Sequence, residues 1–221
     1  GYLYYDDPYH YFKAELVWVA LGLVALTIAM RLEWRFLYKW AKPILYIALL
    51  LLVLVKIPGI GKTVNGATRW IGVGPLSIQP SEVIKLAMVL MMARFLSANP
   101  YKIKSFRKGI IPSLALLGVV CALIMLQPDL GTTLVVVATV FFMLIAVGAN
   151  LWHIAGLGIV GLGLVAAAII AAPYRMSRIF AFLDPWADPL GKGYQTIQSL
   201  LALGPGGLFG LGLGQSRQKF L

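Results

Sequence analysis

The sequence predicts an all-α, polytopic helical membrane protein, with about six transmembrane helices and a large extracytoplasmic loop. Three observations carry this. The chain is 60% hydrophobic and only 12% charged, with a mean hydropathy of +0.86, far from the mix of a soluble globular domain. Apolar runs of membrane length recur along it. Basic clusters fall between alternate runs, the pattern of loops that share one side of a bilayer. The net charge of +11 would suggest nucleic acid in a soluble domain. Here it is read as a topology signal, and no nucleic-acid partner is expected.

The spans follow from the apolar runs in order: Glu15–Met30, Pro43–Val55, Glu82–Leu96, Ile110–Leu126, Leu130–Val147 and Leu151–Ala172. Two domains result, a helical bundle over 1–172 and an extracytoplasmic loop over 173–221 with a short amphipathic helix. The loop "RLEWRFLYKWAK" carries Arg31, Arg35, Lys39 and Lys42, and "RFLSANPYKIKSFRKG" carries Arg94, Lys102, Lys104, Arg107 and Lys108. Even alternation puts both loops on one side, and the positive-inside rule makes it cytoplasmic. The start "GYLYYDDPYHYFK", the segment 57–81, the "QPD" turn and everything after Ala172 then lie outside. An outer start with Asp6 and Asp7 implies an earlier span, so the chain is expected to be an internal fragment.

Between the second and third spans, "NGATRWIGVGPLSIQPSE" is dense in turn signals: Asn65-Gly66, Gly72, Gly74-Pro75 and Gln79-Pro80. "TRWIGVGPLSIQ" is expected to form a small hairpin. Arg69 beside Trp70 suits a headgroup region, where a guanidinium binds phosphate and an indole anchors. Interface anchoring alone also explains the pair.

The third span opens with "SIQPSEVIKLAMV". Glu82 and Lys85 lie three apart, on one helix face. Ionisable groups at membrane depth pair with each other or face a polar cavity. The plainer alternative is an interfacial pair, with Lys85 snorkelling outward and Glu82 favoured by the helix N-terminus. In "QPDLGTT", Asp129 stands where a helix starts and is expected to cap it; Gly131 and Thr132 suit close packing between membrane helices.

After the last span comes "FLDPWADPLGKGYQTIQS". Pro185 and Pro189 restrict Asp184 and Asp188 to extended backbone, so the segment is a loop. "GYQTIQSLLAL" resumes a helical pattern with Tyr194, Ile197, Leu200 and Leu201 on one stripe. "GPGGLFGLGLGQSR" is too glycine-rich for a stable helix; its backbone N–H groups could cradle phosphate. A carboxylate in a stiff loop near basic residues is a candidate general base, and a turn-forming aspartate is the alternative. Arg175, Arg178, Lys192, Arg217 and Lys219 make the outer tail basic, which suits either an anionic ligand or plain translocation of a long segment.

Other chemistries lack their residues. Cys121 stands alone inside an apolar run, so neither a disulfide framework nor a thiolate metal site is available. His10 and His153 fall on opposite sides and lack metal-ligand spacing. No Walker loop or dinucleotide fingerprint appears.

"NGATRWIGVGPLSIQPSEVIK", "QPDLGTT" and "DPWADPLGKGYQTIQSLLALGPGGLFGLGLGQSRQKFL" resemble, in register and over nearly the whole chain, the SEDS family of FtsW, RodA and SpoVE, and are closest to the FtsW/SpoVE branch. The resemblance implies a peptidoglycan glycosyltransferase for cell division or sporulation. Such a protein has ten membrane helices, polymerises lipid II at the outer face of the cytoplasmic membrane, and works with a class B penicillin-binding protein among other divisome membrane proteins. The chain would hold the second to seventh helices and part of the outer loop.

The family's essential acid falls on Asp188 rather than Asp184, and its acidic and basic pair on Glu82 and Lys85. Asp188 is then the expected catalytic base, with Lys85, Glu82 and, more weakly, Arg69 as substrate-binding residues. A divalent cation, Mg or Mn, could assist the leaving group, although no ligand set is readable. The rival readings are a lipid II flippase and a non-catalytic scaffold. A flippase needs a polar path across the bilayer, whereas the intramembrane charge here gathers near the outer face. A scaffold leaves Glu82 and Lys85 without a purpose.

Overall fold

The computed structural model describes residues 10–64, 67–73, 76–98, 100–207 and 210–211. Its helices follow the apolar runs. They are α1 (His10–Arg31), α2 (Trp34–Leu54), α3 (Pro80–Ala98), α4 (Ile111–Met125), α5 (Leu130–Ala146), α6 (Leu151–Ile170), α7 (Pro173–Leu183) and α8 (Tyr194–Gly206). Trp34–Leu54, Phe106–Met125 and Leu151–Ile170 are each long and apolar enough to cross a bilayer. α3 carries Glu82, Lys85 and Arg94 within its 19 residues, and its apolar faces are interrupted accordingly. The protein is a polytopic helical membrane protein.

The chain forms two compact units, Gly1–Ile154 and Ala155–Leu221. In the first, the core lies between α2, α3, α4 and α5. Each helix turns in a stripe at three- and four-residue spacing: Ala41, Leu45, Ala48 and Leu52; Ile84, Met88 and Met92; Leu117, Val120 and Ile124; Val136, Val140 and Leu144. Ala41, Ala48 and Ala87 are fully buried, and small side chains there let α2 and α3 backbones approach closely. From Glu15 to Arg31 every side chain of α1 is exposed.

α2 starts at Trp34, nine residues before the expected Pro43, so most of "RLEWRFLYKWAK" is helix rather than loop. A proline inside a helix leaves the carbonyl four residues earlier without its donor. That carbonyl belongs to Lys39, and Arg94 of α3 supplies the replacement. Its Nη1 donates to Tyr38 O at 2.6 Å and Lys39 O at 3.3 Å, with the guanidinium 4.6 Å from the Tyr38 ring centroid.

The expected hairpin is present and has a third strand. β1 (Gly61–Val64), β2 (Ala67–Val73) and β3 (Leu76–Ile78) form an antiparallel sheet in that order. Gly61 faces Ile71, Ile71 faces Ile78, and a bulge interrupts β1 between Lys62 and Thr63. The turns at Asn65-Gly66 and Gly74-Pro75 lie outside the described residues. A β-carbon on Gly61 would overlap the Val55 carbonyl, so only glycine lets the sheet start this close to the end of α2.

α3 and α4 are joined by a 3-10 turn (Pro100–Lys104) and a π turn (Phe106–Ile110). In the second unit, α7 was unforeseen: Pro173 opens it and it carries Arg175 and Arg178. α8 runs through Gly204, Pro205 and Gly206, further than glycine content suggested, because its closing turn tolerates them. Residues 208–209 and the tail from 212 onward, with Arg217 and Lys219, lie outside the described residues.

Candidate functional site

In the first unit the third apolar run begins as a helix at Pro80, a residue suited to the first turn because its missing N–H would have no partner there. Glu82 N–H donates to Gln79 O at 3.0 Å. The Glu82 carboxylate lies in the first turn, where the helix dipole favours negative charge, and Lys85 Nζ reaches back to Glu82 Oε2 at 2.7 Å. The predicted pair therefore exists. The Lys85 side chain is one-third exposed, leaving its ammonium accessible as well as paired.

Arg69, on β2, is engaged more fully than its sequence suggested. Its Nε donates to Gln127 O at 3.0 Å and its Nη2 to Pro128 O at 2.6 Å, and Nη1 stands 3.7 Å from Asp129 Oδ2. The guanidinium fork thus bridges the α4–α5 turn, where the end of α4 leaves carbonyls unpaired. Lys56 Nζ adds a 2.9 Å bond to Leu126 O. Gln127 is fully buried and its Nε2 donates to Leu52 O at 3.2 Å.

Asp129 caps α5 as the sequence predicted. Its Oδ1 accepts from Thr132 N–H at 3.1 Å and its Oδ2 from Thr132 Oγ1 at 2.9 Å. Among the described residues, a β-carbon on exposed Gly131 would meet only Asp129, so Gly131 makes no close helix packing there, while half-buried Thr132 bonds Asp129. The buried position is Thr133, whose hydroxyl donates to Asp129 O at 2.8 Å.

In the second unit, Asp184 (φ −137°, ψ 85°) and Asp188 (φ −141°, ψ 72°) both avoid the helical region, as residues before proline do, but their ψ falls short of the fully extended backbone expected, and they flank a 3-10 turn at Pro185–Ala187. Their side chains differ. The Asp188 carbonyl accepts from Gly191 N–H at 3.3 Å and Gly193 N–H at 3.0 Å, and its Oδ2 accepts from Lys192 N–H at 3.0 Å. Asp184 contributes only its backbone, accepting from Ala187 N–H at 3.4 Å. A β-carbon on Gly191 would fall inside contact distance of both Asp188 carboxylate oxygens, and one on Gly193 would overlap Pro185 O. The glycines of "GKG" are what let the loop fold over Asp188 while leaving its outer oxygen open. Gly191 and Gly193 were not singled out from the sequence; two glycines three and five residues after an Asp-Pro were the signal.

Arg175 is committed locally: Nη1 donates to Ala168 O at 2.7 Å and Nε to Tyr174 Oη at 2.9 Å, closing the end of α6. His153 packs on Phe106, ring centroids 5.1 Å apart. Among the described residues no three His, Cys, Asp or Glu side chains converge on one point.

The family profile described as "Cell cycle protein", covering FtsW, RodA and SpoVE, matches residues 2–221. The chain is 47% identical over 216 residues to Stage V sporulation protein E of Bacillus subtilis (strain 168), covering 98% of this chain and 59% of that protein. It is 40% identical over 218 residues to the probable peptidoglycan glycosyltransferase FtsW of Legionella pneumophila, covering 99% and 55%. Among solved structures, a chain from work on the coordination of polymerization and crosslinking by a peptidoglycan synthase complex superposes with a TM-score of 0.70 at 36% identity, over 91% of this chain and 59% of that one. The rod shape determining protein RodA of Thermus thermophilus does so at 0.59 and 34% identity, over 72% and 51%. The chain thus spans between half and three-fifths of the proteins it matches.

Proposed function

Since this chain belongs to the FtsW/RodA/SpoVE family, we propose that it is part of a peptidoglycan glycosyltransferase that polymerises lipid II at the outer face of the bacterial cytoplasmic membrane. The observation that carries the reading is the Asp188 loop: a carboxylate fixed by one N–H bond, with the space beside it kept clear by glycine. The names of the similar proteins support the activity, and the synthase complex supports a class B penicillin-binding protein as partner.

In this reading residues 1–172 are the membrane bundle and 173–221 belong to an outer loop. An acceptor sugar hydroxyl attacks the anomeric carbon of a lipid-linked donor. The new C–O bond forms as the bond to the pyrophosphate oxygen breaks. The hydroxyl proton passes to the free oxygen of Asp188, acting as general base. Lys85 places positive charge against the departing pyrophosphate, and Glu82 orients Lys85 through their 2.7 Å contact. Arg69 is the weaker pyrophosphate contact, because its donors already hold the α4–α5 turn. A divalent cation, Mg or Mn, held by one or two carboxylates and the pyrophosphate itself, would offset the departing charge; no step is routed through it.

The test is lipid II polymerisation by the full-length protein with its partner. Asp188→Asn keeps the loop's acceptor geometry but cannot take the proton, so glycan output should fall to background while Asp184→Asn is milder. Adding Lys85→Ala to Asp188→Asn should cause little further loss, as for groups acting in one step. Near-normal polymer from Asp188→Asn would overturn the assignment. Lipid II transport without polymerisation by the wild-type protein would favour the flippase.

A further inference from the structure

The end of α3 remote from Glu82 and Lys85 holds a second feature that the proposed reaction does not use. The two ends of α3 are about 28 Å apart at 1.5 Å per residue. Beyond its last turn the chain folds back through the 3-10 and π turns, and a cavity of about 140 Å³ opens there, lined by Phe95, Ala98, Lys102, Ile103, Lys108 and Gly109.

The cavity is built by the backbone. Ile111 N–H bonds to Phe106 O, five residues back, which widens the turn by one residue. A β-carbon on Gly109 would overlap Ile103 Cα and Lys102 O, so a glycine is needed for the π turn to lie against the 3-10 turn. Ile103 is buried beneath, and Phe95 forms an apolar wall. The mouth is cationic, with Lys102 and Lys108 both exposed.

The α3–α4 connection is strongly basic. No Asp or Glu occurs from Val83 to Pro128, while Lys102, Lys104, Arg107 and Lys108 fall within seven residues. Neither cavity lysine has an ion-pair partner among the described residues. Arg94 ties this end of α3 to Tyr38 and Lys39 of α2, which brings Lys39 and Lys42 to the same end. Two lysines over an apolar-walled pocket at the end of a membrane helix match a phosphate carried on a glycerol and acyl chains. The phosphate meets the ammonium groups and the apolar part meets Phe95 and Ile103.

We propose that this cavity binds the headgroup of an anionic phospholipid, of the phosphatidylglycerol type, at the end of α3 opposite Glu82 and Lys85. Occupancy would anchor the α3–α4 connection to the lipid surface.

Native mass spectrometry of the full-length protein titrated with phosphatidylglycerol or phosphatidylcholine tests this. The wild type should retain phosphatidylglycerol in preference to phosphatidylcholine. Lys102→Gln with Lys108→Gln should weaken retention about 25-fold, at about five-fold per lysine. The equal charge change Lys104→Gln with Arg107→Gln, outside the cavity lining, should weaken it no more than about three-fold. Equal losses from the two pairs would mean a diffuse surface attraction and overturn the site. So would absence of lipid preference in the wild type. Displacement of the lipid by equimolar glycerol 1-phosphate or inorganic phosphate would show a free-anion site and overturn the lipid assignment.

Discussion

Replacing Arg94 by alanine isolates the contact that serves the carbonyls of α2 beside Pro43. Three interactions go: the 2.6 Å bond to Tyr38 O, the 3.3 Å bond to Lys39 O, and the stacking 4.6 Å from the Tyr38 ring centroid. A hydrogen bond from a charged donor contributes about 1.5–3 kcal/mol, and a cation–π contact at an exposed site about 0.5–1 kcal/mol. The 3.3 Å bond is weak, and the groups are reached by solvent, so the expected loss is about 2 kcal/mol. The mechanism makes a sharper statement than the magnitude. Lys39 O needs Arg94 because Pro43 has no N–H to offer it. Pro43→Ala restores that donor, so Arg94→Ala should cost about 1 kcal/mol less in a Pro43→Ala background. Reversible unfolding of the full-length protein in mixed micelles, over the four variants of this cycle, measures the coupling. Strict additivity would refute the idea that Arg94 substitutes for the proline's missing donor.

Two further outcomes follow from the site geometry. Gly191→Ala should abolish polymerisation nearly as fully as Asp188→Asn, with an unchanged melting midpoint, because the new methyl displaces the carboxylate in an exposed loop; retention of more than about half the activity would show that the carboxylate's position is unimportant. Arg69→Lys should destabilise by about 1–2 kcal/mol, since an ammonium lacks the planar fork whose separated N–H groups meet the Gln127 and Pro128 carbonyls together. If Arg69 acts chiefly on substrate instead, Arg69→Lys will raise KM for lipid II and leave the melting curve in place.

The spans were legible because a bilayer imposes a length and a polarity that composition reveals directly. What was illegible involved partners distant in sequence. "RLEWRFLYKWAK" reads as a loop when its four cations and Pro43 are taken alone; the carbonyl that Pro43 leaves open is served by Arg94, more than fifty residues on. Arg69 reads as an interfacial cation, and its engagement with the α4–α5 turn needs a residue 58 positions away. α7 has too few residues and too many polar ones to stand out as an apolar run. The i, i+3 spacing of Glu82 and Lys85 was enough to predict their ion pair, because helix geometry alone brings them together. Asp188 was singled out as a candidate through its prolines and through family resemblance. The glycines that shape its surroundings matter by what they lack, and a missing side chain leaves no pattern of polarity to read.

The bonds that hold Asp188 span three, four and five residues: Gly191 and Gly193 to its carbonyl, Lys192 to its carboxylate. Closing loops of that length sacrifices little chain entropy, and no distant segment is needed to complete them. The loop is therefore a self-contained cartridge whose shape is written locally. It can be carried from one position to another by the helices on either side without being rebuilt. If the proposed reaction holds, admitting a bulky lipid-linked sugar and presenting the base become separate tasks, with the carrier moving while the carboxylate keeps its aim.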